Sequence, residues 1–197
     1  MAHSVTNIEM PTGVRGIAVL NGCMYAVLHN MSCVYVFNTQ AIDTFDCIEI
    51  ASDGETPNVL KWPSDIVANH RCSVLYISDR GLGRHGFADC PGMFTFYPDT
   101  KKAVFNYLDG ATPAGMSMTF DNRLLVACEH AHPVGRSLRL YDVQTDGGVP
   151  RSPCKIVILD HLSKYLLQPV MFSENIFAIS QIKKKNANLH RICLVDD

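Results

Sequence analysis

PSDIVANHRCSVLYISDRG, residues 63–81, followed by GMFTFYP at 92–98, decides how the rest of the chain is read. A proline enters a short apolar run, a polar turn follows, and a second run, VLYIS, leads into Asp79. A glycine-rich interval then separates it from a third run that ends in aromatics. Short apolar runs cut by Gly, Pro, Asn and Asp point to antiparallel strands, because turns need the backbone angles those residues supply while a helix needs longer, 3.6-periodic segments.

Outward from this stretch the pattern returns. RGIAVLNGCMYAVLHNMSCVYVF (15–37) precedes it, and PAGMSMTFDNRLLVACEH with SLRLYD (113–130, 137–142) follows. A weaker copy is PVMFSENIFAIS with LHRICLVD (169–180, 189–196). Aligning Tyr25, Tyr76, Leu125 and Phe177 as equivalent second-strand positions gives a period of about 50 residues, the long end of what propeller blades use. DCIEIA (46–51), KAVFNYL (102–108) and CKIVIL (154–159) supply a fourth strand between copies. Four strands per unit is the inventory of a blade. The expectation is one all-β domain, 1–197, a β-propeller with about four blades of four antiparallel strands, the repeats falling near 14–50, 63–108, 113–159 and 169–197. Only HLSKYLLQ (161–168) has a spacing that suits a helical turn.

The fourth copy stops at its third strand, while SVTNIEM (4–10) stands where an outer strand precedes every other copy. An N-terminal strand completing the last blade would close the ring and remove its sheet edges. The alternative is a part of a six-bladed ring, and the sequence leaves both open.

Residues 63–81 resemble an NHL repeat, the likeness being carried by Pro63, Ile66, Leu75, Tyr76, Ser78 and Asp79. The other copies keep the spacing and the apolar positions but place Leu28, Cys128 and Ser180 where Asp79 stands. The resemblance implies a propeller used as a recognition platform for protein or RNA. Larger NHL proteins often carry RING and B-box modules, whose Cys and His spacing is missing here, so ligase activity does not transfer.

Composition narrows the classes further. The 197 residues are 47% hydrophobic, enough for a substantial core, and the net charge of -2 gives no global field that would draw in nucleic acid or an anionic membrane. The eight cysteines are scattered, with no C-x-x-C pair to suggest zinc or redox chemistry; Cys154 and Cys193 sit in apolar strand patterns, where a thiol acts as a small hydrophobe. MAHSVTNIEMPTG lacks the charged start and apolar stretch of a signal peptide, and no run approaches the roughly 20 apolar residues of a membrane span. The expectation is a soluble, cytoplasmic protein with no cofactor.

In a propeller the loops from second to third strands share a face with the blade-to-blade connections, and loops on a rigid scaffold concentrate binding residues. Here His29–Ser32 is short. The interval Arg80–Pro91 (RGLGRHGFADCP) brings Arg80, Arg84 and His85; Glu129–Arg136 (EHAHPVGR) brings Glu129, His130, His132 and Arg136; the fourth loop holds Lys183, Lys184 and Lys185. ETPNVLKWP (55–63) adds Trp62. Arg and Trp are prominent among interface hot spots, so this mixed-charge face is the candidate binding surface and a protein the expected partner.

Plainer readings stand beside each feature. RGLGRHG lacks the strand-then-helix setting of a phosphate loop. EHAH offers two imidazoles and a carboxylate but not a metal-ligand spacing, and a lysine run is most often a solubilising loop. Single-stranded RNA needs stacking aromatics on the same face, for which only Trp62 and Phe87 are candidates. The enzymatic alternative, a lactonase of the regucalcin and gluconolactonase type, needs hard oxygen ligands around a divalent metal in the central channel. Among the first strands GIAVL, DIVAN and GMSMT, only Asp65 and Asn69 offer such oxygens, both from one blade. A remnant propeller that has lost its binding function is the third class.

Overall fold

A computed structural model describes residues 12–29, 31–38, 41–54, 57–81, 91–131, 135–159, 166–173, 176–183 and 186–193. Among them are fifteen strands and no helix, arranged as four antiparallel sheets whose strands neighbour one another in chain order. The first sheet is β1 (Val14–Leu20), β2 (Cys23–Leu28), β3 (Cys33–Asn38) and β4 (Ala41–Glu49). The second is β5 (Pro63–Asn69), β6 (Val74–Asp79), β7 (Gly92–Tyr97) and β8 (Lys102–Tyr107). The third is β9 (Thr112–Met118), β10 (Arg123–Ala131), β11 (Gly135–Asp142) and β12 (Lys155–Ile158), and the fourth β13 (Leu166–Ser173), β14 (Ile176–Lys183) and β15 (Asn186–Cys193). This succession of sequential meanders is β-propeller-like. The segment 4–10, expected as a closing strand, lies outside the described residues, as do 161–165; Leu166–Gln168, expected in a helical turn, begin β13 instead.

Local chemistry explains the meanders. Leu20 pairs with Cys23 across Asn21 and Gly22, both at positive φ (49° and 75°), the conformation of a two-residue hairpin turn whose twist matches its strands. The second strand β6 is buried on both faces: all six of its residues are inaccessible or nearly so, which is why VLYISD reads as a largely apolar run and not as an alternation. Tyr25, Tyr76, Leu125 and Phe177 all fall in second strands, β2, β6, β10 and β14.

Alternate residues of β6 feed adjacent layers of core. Leu75 and Ile77 join Tyr25, Val27, Val34, Phe94 and Phe96 between the first and second sheets. Val74 and Tyr76 join Met116, Leu124, Val126 and Tyr141 between the second and third. Each large aliphatic side chain buried in these layers contributes about 1.5–3 kcal/mol of transfer free energy. The first strands lie side by side, β1 against β5, β5 against β9 and β9 against β13. Gly16 permits the first approach, since a Cβ there would come within 2.8 Å of the Ile66 nitrogen and 2.9 Å of Asp65 Oδ1.

Candidate functional site

One end of the sheets gathers the starts of first strands, the ends of second strands and the sheet-to-sheet connection. The chain leaving β4 turns at Ile50 and returns at Leu60, both fully buried, with Leu60 N donating to Ile50 O at 2.9 Å. It then delivers Lys61 and Trp62 to the edge of the second sheet. The Asp79 carboxylate, 3% exposed at the end of β6, holds them: Oδ2 accepts from Lys61 N at 3.0 Å, and Oδ1 from Trp62 N at 2.9 Å and Gly81 N at 3.0 Å. Arg80 N completes the clamp by donating to Trp62 O at 3.0 Å. Connection and loop therefore share one carboxylate, and the Trp62 backbone cannot shift without breaking charge-assisted bonds.

Trp62 is half-buried, with His29 set edge-on against its indole at a centroid distance of 4.3 Å. His29, just past β2, is itself fixed by donating its amide to Gly13 O at 2.9 Å. On the other side Arg80, whose side chain is 34% exposed, pairs through Nη2 with Oε2 of the buried Glu129 on β10. His29, Trp62, Arg80 and Glu129 thus run from the first sheet to the third along a single end. Arg136, partly exposed at the start of β11, lies at the same end, its carbonyl accepting from Leu159 N at 2.9 Å.

Of the residues singled out from sequence, the structure therefore joins Trp62, Arg80 and Glu129 and places Arg136 at their end of the sheets. Arg84, His85, Phe87, His132, Lys184 and Lys185 lie outside the described residues. Two loop expectations need correction. Glu129, His130 and Ala131 belong to β10, and Gly135 and Arg136 to β11; Ala131 pairs with Gly135 beyond a register shift after Cys128, so cross-strand pairing carries the hairpin into a segment whose composition reads as loop. Lys183, expected on the fourth loop, likewise belongs to a strand: it ends β14 and pairs with Asn186 of β15. Sequence reading missed His29 as the neighbour of Trp62. It also assigned Asp79 to a repeat pattern without seeing its clamp, although the one copy with Asp at this position was the signal.

Asp65 and Asn69, the oxygens considered for a channel metal, serve the backbone. Asp65 accepts from Ile66 N at 2.9 Å through Oδ1 and from Met116 N at 2.7 Å through Oδ2, bracing β5 against β9. Burial pushes its carboxyl up to about 7, although the Met116 and Ile66 amides pull the other way. Asn69 Oδ1 accepts from Arg71 N at 3.0 Å and Cys72 N at 3.2 Å, shaping the β5–β6 turn. Among the described residues no three His, Cys, Asp or Glu side chains cluster as metal ligands. Nor does any described helix have the length and apolarity to cross a membrane.

No protein-family model matches the chain, and no curated protein matches it in sequence. Solved structures do resemble it. The computationally designed Ika4 protein aligns with a TM-score of 0.55 at 11% identity, over 99% of this chain and 100% of that one. A protein from Lactobacillus plantarum aligns at 0.54 and 12% identity over 96% of this chain, which spans only 57% of that protein's length. At such identities the likeness concerns the fold alone.

Proposed function

We propose that this chain is a non-catalytic platform that binds a protein partner through the end carrying His29, Trp62, Arg80, Glu129 and Arg136. The four sheets then act as blades of a propeller of the NHL kind, closed by the N-terminal strand or forming part of a larger ring. One observation carries the reading: a partly exposed tryptophan is fixed on both sides, by His29 and by the Asp79 clamp, beside an arginine pinned to the third sheet. Rigid aromatic and arginine side chains lose little entropy on binding, which is what interface anchors require. The lactonase alternative is weakened because Asp65 and Asn69 spend their oxygens on backbone amides. RNA is a lesser alternative, since the net charge of -2 gives no general attraction for a phosphate backbone and Arg80 is already paired with Glu129.

The test is capture from cell lysate by the purified full chain, with and without nuclease, beside a variant carrying Trp62→Ala and Arg136→Ala. A protein retained by the chain, lost with the variant and indifferent to nuclease supports the platform. Nuclease-sensitive recovery moves the case to RNA, and equal capture by both proteins refutes the assignment of the surface.

A further inference from the structure

The opposite end of the same two sheets carries a cleft of about 730 Å³, walled by three turns: that between β5 and β6, that between β9 and β10, and the chain following β11. A second hollow of about 300 Å³ adjoins it through the shared residues Arg71 and Asn122 and reaches Phe120, whose ring is 71% exposed. The volume is that of an ordinary small-ligand site.

The walls are fixed before any ligand arrives. Asn69 Oδ1 organises the first turn. Thr119 organises the second: its amide donates to Arg123 O at 2.8 Å, its hydroxyl accepts from Arg123 N at 2.8 Å, and the same hydroxyl meets the Asp121 carboxylate. The third is docked across the seam, because Tyr76 OH donates to Gly147 O at 2.9 Å while Gln144 N donates to Gly148 O at 2.9 Å. Preformed walls spare a ligand the cost of ordering them.

Chemistry of the lining selects the ligand. Arg71 and Arg123 are balanced by Asp121 and Asp142, and Arg123 is already paired with Asp121 at 2.6 Å, so no net charge favours an ion of either sign. Asn122, Gln144 and Thr145 add donors and acceptors in equal measure, while the apolar lining is Cys72 and Val143 in the cleft and Ala68, Met118 and Phe120 in the adjoining hollow. Turn walls leave no free strand edge for a peptide to pair with, and a hydrophobic ligand would bury the charged and amide groups of most of the cleft lining. Planar polar groups beside one exposed aromatic ring suit a neutral polyhydroxylated molecule, its hydroxyls bonded by the amides and charges and its C–H face laid on Phe120. We infer that this cleft is a binding site for a neutral oligosaccharide, separate from the protein-binding end.

The test titrates the full chain with maltotriose, cellotriose and chitotriose, and with the neutral peptide N-acetyl-triglycine amide, by saturation-transfer NMR and calorimetry. At least one trisaccharide is expected to bind with a Kd on the order of 1 mM. Arg71→Ala and Phe120→Ala should each weaken it by about fivefold or more, as loss of one hydrogen bond or one ring contact implies. Both side chains are exposed, so both variants should melt as the parent does, and Arg80→Ala at the far end should leave the titration unchanged. Absence of binding by all three sugars, binding indifferent to Arg71→Ala and Phe120→Ala, or binding of the peptide in their place overturns the inference.

Discussion

At one end of the second sheet, side chains hold the structure: Asp79 gathers the amides of Lys61, Trp62 and Gly81, and Arg80 reaches across to Glu129 on the third sheet. At the other end the Tyr76 hydroxyl of β6 holds the chain following β11 by donating to Gly147 O, and a cleft is left among the surrounding turns. The first arrangement presents a fixed, partly apolar surface; the second leaves a polar hollow with rigid walls. A partner with a broad surface can use the first, and only a ligand small enough to enter can use the second. On the two proposals above, the ends of one fold serve unlike kinds of recognition.

The largest expected effect comes from the clamp. Asp79→Ala strands three amides that now share one buried carboxylate and should cost about 3–5 kcal/mol, read as a lower urea midpoint at unchanged slope. A loss below about 1 kcal/mol would mean that water replaces the carboxylate and the end is not fixed by it.

Asp65 comes next. Asp65→Ala removes the acceptor of two buried amide bonds and should cost about 2–4 kcal/mol in the same assay. Its pH signature has a definite sign. The folded-state pKa, about 7, lies above the ordinary 3.8, so the native protein holds the proton more tightly than the unfolded chain. Stability from this group is therefore full below pH 4 and falls as pH rises to 7. Urea midpoints across that window should decline in the parent and flatten in Asp65→Asn. A parent profile with no such component in this window would contradict the assignment.

Tyr76→Phe sharpens the contrast at the cleft end. Loss of the hydroxyl bond to Gly147 should cost about 1–2 kcal/mol and quicken amide hydrogen exchange in residues 143–149, leaving Lys61, Trp62 and Gly81 protected. Arg80→Ala should cost about 1–2 kcal/mol: solvent screens the one-third-exposed arginine, but the buried Glu129 carboxylate loses its cation. A double-mutant cycle with Glu129→Gln isolates that coupling. Phe120→Ala, on a largely exposed ring, should change stability by no more than about 0.5 kcal/mol.

Much of this architecture was legible because propeller-like strands are short and their punctuation is chemical. Asn21-Gly22 and Asn122 mark turns, Pro63 opens β5, and the apolar runs at Tyr25, Tyr76 and Leu125 land in equivalent second strands. What escaped was non-local. EHAHPVGR has loop composition, but pairing of Ala131 with Gly135 makes most of it strand, since strand preference is set by cross-strand neighbours more than by residue type. Arg80 reads as a free surface cation until Glu129, 49 positions away, is brought against it. The cleft left no mark at all: Arg71, Asn122 and Gln144 are ordinary turn residues, and only the docking of three turns makes them a site.

The central claim is that protein recognition belongs to the Trp62 end. Affinity for a captured protein partner, measured side by side for the parent, Trp62→Ala and Phe120→Ala with thermal unfolding as control, tests it most directly. The account predicts binding weakened by about 2 kcal/mol or more in Trp62→Ala and unchanged in Phe120→Ala. The reverse pattern, with Phe120→Ala losing the partner and Trp62→Ala keeping it, would place recognition at the other end and contradict the account.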